Sequence, residues 1–336
     1  MALRHGLAVI QLNSIILFAA GLVIMVAGAE LLLRSAARLA ALLGVSPIVI
    51  GLTLVSAGTT APELAVGLAA VAEGKGPLAV GNIAGTNIFN LLFILGLSAL
   101  IRPLPIRLQS IKVAVPVIIG ATCALAVMAM DGLLSQTEGA LLLIAAVFYT
   151  LALVRTSRRQ SVAIKREFAD EFSIKASVPV EPGAPRTLNL ALLFVGLGVT
   201  LLGADLLVAG AVTIARSSGV SDAFIGLTIV AIGTSVPELV TMMVATYKDD
   251  RDVAIGNLIG SSTYNILVIM GLTMLASPQG IDVSSNHLWV DLPLAATVAL
   301  VCLPVFKSDR LVSRAEGLAF VLAYASYLAS LIWLRT

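Results

Sequence analysis

The chain has 336 residues, 59% hydrophobic and 12% charged, with a formal net charge of +2 and a mean hydropathy of +1.03. Soluble domains carry roughly 25% charged residues, so a soluble enzyme or nucleic-acid-binding domain is excluded. The apolar runs are of helix length and lack polar–apolar alternation, which also excludes an outer-membrane barrel.

A hydrocarbon core about 30 Å thick takes ~20 apolar residues per helical span. Ten spans are predicted, at 14–33, 45–71, 78–100, 111–130, 136–154, 188–210, 220–246, 253–275, 289–306 and 312–333. The first is followed by Arg34 and Arg38 rather than a small-residue cleavage site, and is read as a retained helix. Between the fifth and sixth lies the hydrophilic segment 155–187, with Pro179, Pro182 and Pro185 and no apolar period, a linker. With the N-terminus outside, 17 Lys and Arg fall on inward loops and four (Arg4, Lys75, Arg216 and Arg335) outside. That bias puts both termini outside and 155–187 in the cytoplasm.

The halves on either side of the linker repeat each other. Residues 51–100 and 226–275 align without a gap at an offset of 175, with 20 of 50 positions identical. The identities include Gly58, Pro62, Glu63, Gly81, Asn82, Gly85 and Asn90 with their counterparts. Upstream, GLVIMVAGAELL at 21 answers GLGVTLLGADLL at 196, setting Glu30 against Asp205. Five spans per half is an odd number, so the second copy is inverted. Inverted repeats that meet at the bilayer midplane are a signature of secondary transporters.

The repeated motif is GTTAPE (58–63) and GTSVPE (233–238). Pro62 and Pro237 lack an N–H and break their helices, and Gly58 and Gly233 loosen the same turns. Irregular backbone survives at membrane depth only where it lines a polar cavity or is buried in protein. The carbonyls of Ser56 to Thr59 and of Ala231 to Thr234 thereby become candidate cation ligands, and Thr59, Thr60, Thr234 and Ser235 add hydroxyls. Glu63 and Glu238 supply charge with no Lys or Arg in either span. A carboxylate at the bilayer centre costs at least ~2.5–3.5 kcal/mol, so the pair calls for a mobile cation or bound protons. Oxygen-only ligands suit hard ions such as Ca²⁺ and Na⁺. The following spans, GNIAGTNIFN and GNLIGSSTYN, carry Asn82, Thr86 and Asn90, and Asn257, Ser261 and Asn265. Thr86 and Asn90, four apart, share a helical face toward the glutamates.

Other polar residues read as structural. Glu30 pairs with Arg34 one turn on, and Asp131 and Asp309, with Glu138 and Glu316, read as loop-edge anchors or caps. Cys123 and Cys302 are buried small hydrophobes, His5 and His287 are lone and terminal or loop-borne, and Trp289 and Trp333 are interfacial anchors.

The paired motifs resemble the two alpha repeats of the cation/Ca²⁺ exchanger superfamily, nearest its prokaryotic sodium/calcium exchanger branch, along essentially the whole chain. The resemblance implies an all-α membrane protein of ten helices in two inverted five-helix repeats, 1–154 and 188–336. It makes Glu63 and Glu238 the central Ca²⁺ ligands, shared with Na⁺. Thr59 and Thr234 would contribute backbone carbonyls, and Thr60 and Ser235 hydroxyls. Thr86 and Ser261, with backbone oxygens of Ser56 and Ala231, would complete flanking Na⁺ sites, and Asn90 and Asn265 would sit at the middle. Members often carry Asp at the second of these positions, so Asn265 removes a charge and leaves Na⁺ and H⁺ both open as driving ion. The resemblance further implies that the first and sixth helices slide over a rigid core, with Gly21, Gly28, Gly196 and Gly203 permitting close contact. The expectation is a Ca²⁺/Na⁺ antiporter of a bacterial or archaeal cytoplasmic membrane, with a Ca²⁺ or other divalent cation/H⁺ antiporter as the alternative. It is expected to be no enzyme, to need no cofactor, and to work as a monomer without nucleic acid.

Overall fold

The computed structural model describes residues 2–106, 113–158, 185–218, 231–248, 251–307 and 310–335. Over these the chain is mostly helical, with two short antiparallel strand pairs. Six helices are long and apolar enough to cross a membrane, or seven if Pro47–Thr59 and Ala61–Ala72 count as one bent span. This is a multi-pass helical membrane protein. The predicted span at 111–130 appears as the shorter helix Val115–Asp131, with 113–114 π-helical before it and 111–112 outside the described residues. Of the span at 220–246 the described part is Ala231–Gly233 and Val236–Lys248. Of the linker, 159–184 lie outside the described residues.

Burial divides the helices into two sets. In the most apolar 18 residues of the motif helices Gly76–Ile101 and Asp252–Leu275, 78% and 83% are buried, against 28% and 33% in Asn13–Leu43 and Arg186–Ser217. Lipid tails are as apolar as leucine, so the outer helices need no protein cover. The polar motifs therefore occupy the centre of the bundle.

The two long outer helices, Ala2–Leu43 and Arg186–Ser217, lie along one another. A methyl on Gly28 would sit 2.5 Å from the backbone nitrogen of Thr200, and one on Gly203 would meet the backbone of Met25. Only glycine lets the two backbones approach so closely.

Many contacts occur twice, at positions about 175 residues apart. A methyl on Gly96 would lie 2.8 Å from the Gly317 carbonyl, and one on Gly139 2.8 Å from that of Gly271. Leu104–Pro105 pairs with Leu311–Val312, and Leu133–Leu134 with Ile281–Asp282. The Ile106 N–H donates to the Arg310 carbonyl at 2.8 Å, and the Val283 N–H to that of Gly132 at 2.9 Å. Two helices open on the same capping box: Ser135 with Glu138, and Ser313 with Glu316, each with a backbone N–H to carboxylate bond of 2.8 Å. The acids expected to be caps thus include two true ones. Asp131 accepts from the Leu133 N–H at 3.0 Å, while Asp309 lies outside the described residues.

Candidate functional site

Each motif proline sits in the first turn of a short helix, where its missing N–H costs nothing. Pro47–Thr59 ends in a π-helical stretch, Gly51–Val55, and one α-turn, Ser56–Thr59. At Thr60 the chain bends by 40° into Ala61–Ala72. Glu63 falls in the first turn of that helix. In the second half the short helix Ala231–Gly233 precedes a turn at Thr234 and Ser235, and Val236–Lys248 begins with Pro237 and Glu238. Both carboxyls thus sit in the first turn of a helix, where negative charge is favoured.

Glu63 is 0% and Glu238 1% exposed. Both oxygens of both carboxyls lack a hydrogen-bond partner among the described residues. The two groups are electrostatic neighbours. Thr234 and Ser235 of the second half face Glu63, and Thr59 of the first half, with Ser261, faces Glu238. Each acid thus faces at least one hydroxyl of the opposite half. Among the described residues no three His, Cys, Asp or Glu gather as a metal site; this donor set consists of two carboxyls, hydroxyls and amides, which suits hard cations.

The hydroxyl shell is complete on one side and open on the other. Thr59 Oγ1 donates to Asn257 Oδ1 at 3.2 Å and lies 3.1 Å from Ser261 Oγ. Ser261 Oγ in turn donates to Asn257 Oδ1 at 3.3 Å, and Ser56 Oγ to the Asn257 carbonyl at 3.0 Å. The counterparts, Thr234, Thr86 and Asn82, form no such cluster. Thr234 Oγ1 and Asn82 Nδ2 are buried without a partner among the described residues, and Ser235 Oγ reaches Thr86 Oγ1 only at 3.5 Å. The Ser56 carbonyl keeps its helical bond from the Thr60 N–H at 3.1 Å. It also accepts from Thr60 Oγ1 at 2.9 Å.

The asparagines stand where helix geometry changes. Gly76–Ile88 gives way to a π-helical segment at Phe89–Ile94, and Arg251–Tyr264 to another at Asn265–Met270. Such segments turn side chains off the regular face, and they concentrate at functional sites. Asn90 and Asn265 are both 0% exposed. Neither Asn90 amide atom has a partner among the described residues, and Asn265 keeps only its Oδ1 free.

Residues 13–155 and 188–333 match the profile of the family described as "Sodium/calcium exchanger protein". The chain belongs to the sodium/calcium exchanger family. It is therefore a transporter and not an enzyme. It is 34% identical over 308 residues to the putative antiporter CaxA of Alkalimonas amylolytica, covering 91% of this chain and 95% of that one. It is 28% identical to the sodium/calcium exchanger MaX1 of Methanosarcina acetivorans, covering 97% of this chain and 100% of that one. A solved structure of the sodium-calcium exchanger NCX_Mj superposes with a TM-score of 0.79 at 28% identity, covering 95% of this chain and 98% of that one.

Within this exchanger-family bundle, the named motif residues Ser56, Thr59, Thr60, Glu63, Thr86, Asn90, Ser235, Glu238, Ser261 and Asn265 are all buried. Two polar features lie beyond the sequence reading. Asn87, between Thr86 and Asn90, bonds to both Asn265 and the Ser262 carbonyl. His287 is neither lone nor in a loop: it begins a helical segment, and its Nδ1 lies 2.7 Å from Oδ2 of Asp291. Asp291 is 2% exposed and accepts from Tyr327 Oη at 2.9 Å. The four-residue spacing of His287 and Asp291 was the available signal, since it places both on one helical face. The expected Glu30–Arg34 pair is present, and Glu30 also pairs with Lys248. Asp205, its counterpart, is exposed.

Proposed function

We propose that the chain is an antiporter exchanging Ca²⁺ for Na⁺ by alternating access, with Glu63 and Glu238 shared between the two ions. The observation that carries this reading is the pair of fully buried, partnerless carboxyls held by two helix breaks. Two such charges in an apolar bundle are costly unless cations neutralise them. Thr59, Thr60, Thr234, Ser235, Thr86, Ser261, Asn90 and Asn265, with backbone oxygens at Ser56 and Ala231, complete the ligand set in this reading. The family match and the named sodium/calcium exchangers among its relatives favour the same cargo.

The reading includes ten spans in two inverted halves, 1–154 and 188–336, joined by a cytoplasmic linker at 155–187. Twice-occurring contacts such as Gly96 with Gly317 and Gly271 with Gly139 support it. It also places the chain in a cytoplasmic membrane, termini outside, as a monomer with no cofactor besides the transported ions. Alternating access is supported by one-sided cover. Ala2–Leu43 packs on Val236–Lys248, while Arg186–Ser217 has no comparable contact with Ala61–Ala72. Val240 is accordingly buried, and its counterpart Ala65 is exposed.

Exchange for H⁺ is a second reading, favoured by one observation: Asn265 is uncharged, so two protons on Glu63 and Glu238 would discharge the site. Uptake of ⁴⁵Ca²⁺ into proteoliposomes under an imposed Na⁺ or pH gradient separates the two. The first reading expects uptake driven by outward Na⁺; uptake driven by pH alone and indifferent to Na⁺ would overturn it.

A further inference from the structure

Asparagine amides are ambiguous in orientation, since oxygen and nitrogen look alike. Here the backbone removes the ambiguity. The Ser262 carbonyl can only accept, so the Asn87 atom 3.0 Å away is its Nδ2. Asn87 therefore presents Oδ1 at its other end. That oxygen also only accepts, so the Asn265 atom 3.2 Å from it is Nδ2. The Asn265 Oδ1 is left buried and without a partner among the described residues. Asn87 and Asn265 are 3% and 0% exposed, so water does not offer either a ready substitute partner.

We infer that Asn87 is a positioning residue that locks Asn265 with its carbonyl oxygen toward the transported cation. The inference rests on the exchange reading above. Without the lock, Asn265 is free to turn its NH₂ group, which carries partial positive charge, toward the ion, and orienting the oxygen then costs binding energy. The two halves differ here. The counterpart of Asn87 is Ser262, whose hydroxyl is spent on the Leu258 carbonyl at 3.0 Å. Asn90, the counterpart of Asn265, consequently has neither amide atom held. The lock also selects a neutral ligand at position 265, because a carboxylate there would set oxygen against the Asn87 oxygen. Charge in the site then comes from Glu63 and Glu238.

Asn87→Leu keeps the branched shape and removes both bonds. In proteoliposomes its KM for Ca²⁺ is expected to rise about tenfold while the maximal rate stays within about twofold. Asn265→Ala should raise KM similarly, and the double variant should be no worse than about either single one, because both remove the same oriented oxygen. If Asn87→Leu does not fold, Asn87→Ala decides: it removes both bonds without adding bulk, and its KM should rise to about the same extent. An unchanged KM in the variant that folds, or multiplying effects in the double variant, overturns the inference. Wild-type protein that takes up no Ca²⁺ under either gradient overturns the exchange reading and this inference with it; uptake with an unaffected variant overturns this inference alone.

Discussion

Glu30 and Lys248, on opposite halves of the chain, form an ion pair that ties the long outer helix Ala2–Leu43 to the end of Val236–Lys248. Arg34 joins from one turn further on. The counterpart of this pair is two acids. Asp205 answers Glu30 and Glu73 answers Lys248, and Glu73 bonds instead to Lys75 at 2.7 Å. The hydrogen bond from Lys75 and its charge hold the Glu73 carboxyl below the usual carboxylate range. In the exchange reading proposed above, the Glu30–Lys248 attraction has no counterpart between Asp205 and Glu73, which favours the conformer in which the Glu30 side is closed.

Lys248→Gln should therefore shift the balance of conformers. Both partners are partly exposed, with 41% and 30% of the side-chain surface open, so the pair is worth roughly 0.5–1 kcal/mol. That corresponds to a two- to fivefold change in the conformer ratio. Amide hydrogen exchange at Val240–Thr246 should quicken by this factor, and unchanged exchange would count against a latch.

Glu63→Gln and Glu238→Gln each remove a buried charge that lacks a protein partner. Both variants should fold, with ion-free thermal stability no lower than wild type. Each should lose at least about a hundredfold in Ca²⁺ exchange. The stabilisation that Ca²⁺ gives wild type, about 2.7 kcal/mol at a hundredfold excess over Kd, should vanish. A variant that kept both exchange and the Ca²⁺-dependent shift in Tm would refute the assignment.

Gly203→Ala tests whether the glycine seam matters for movement. Its new methyl meets the Met25 backbone, which cannot rotate away as a side chain can. Exchange should fall at least about tenfold while Ca²⁺ still raises Tm. Equal loss of binding and exchange would mean that the seam shapes the site instead.

Tyr327→Phe leaves the buried Asp291 carboxyl without one of its hydrogen bonds. Bonds to charged groups are worth about 1.5–3 kcal/mol, so thermal unfolding in detergent should show a loss of that order. Ca²⁺ affinity should stay near wild type, since these residues are not among the ligands proposed for the ions.

The site was legible because its residues are anomalous for lipid. A proline, a glycine and an acid within six residues have no lipid-facing use, and their repetition at 233–238 rules out accident. The capping acids Glu138 and Glu316 carried a recognisable three-residue spacing from Ser135 and Ser313. Asn87 was missed because its partners, at 262 and 265, lie in the other half and no local pattern announces them. The π-helical segments were equally silent: Phe89–Ile94 is an ordinary apolar helical sequence, and its geometry comes from packing. The Glu30–Lys248 tie was hidden by a sufficient local partner, Arg34.

The crossed contacts of the two halves bear on how the protein is made. When a ribosome has delivered Gly96 and Leu104, their partners Gly317 and Val312 are still untranslated. Leu134 and Gly139 wait likewise for Ile281 and Gly271. A chain that ends before the second set of partners thus lacks the other side of each of these contacts. Two halves synthesised as separate polypeptides, by contrast, carry matching edges by which to find each other in the bilayer.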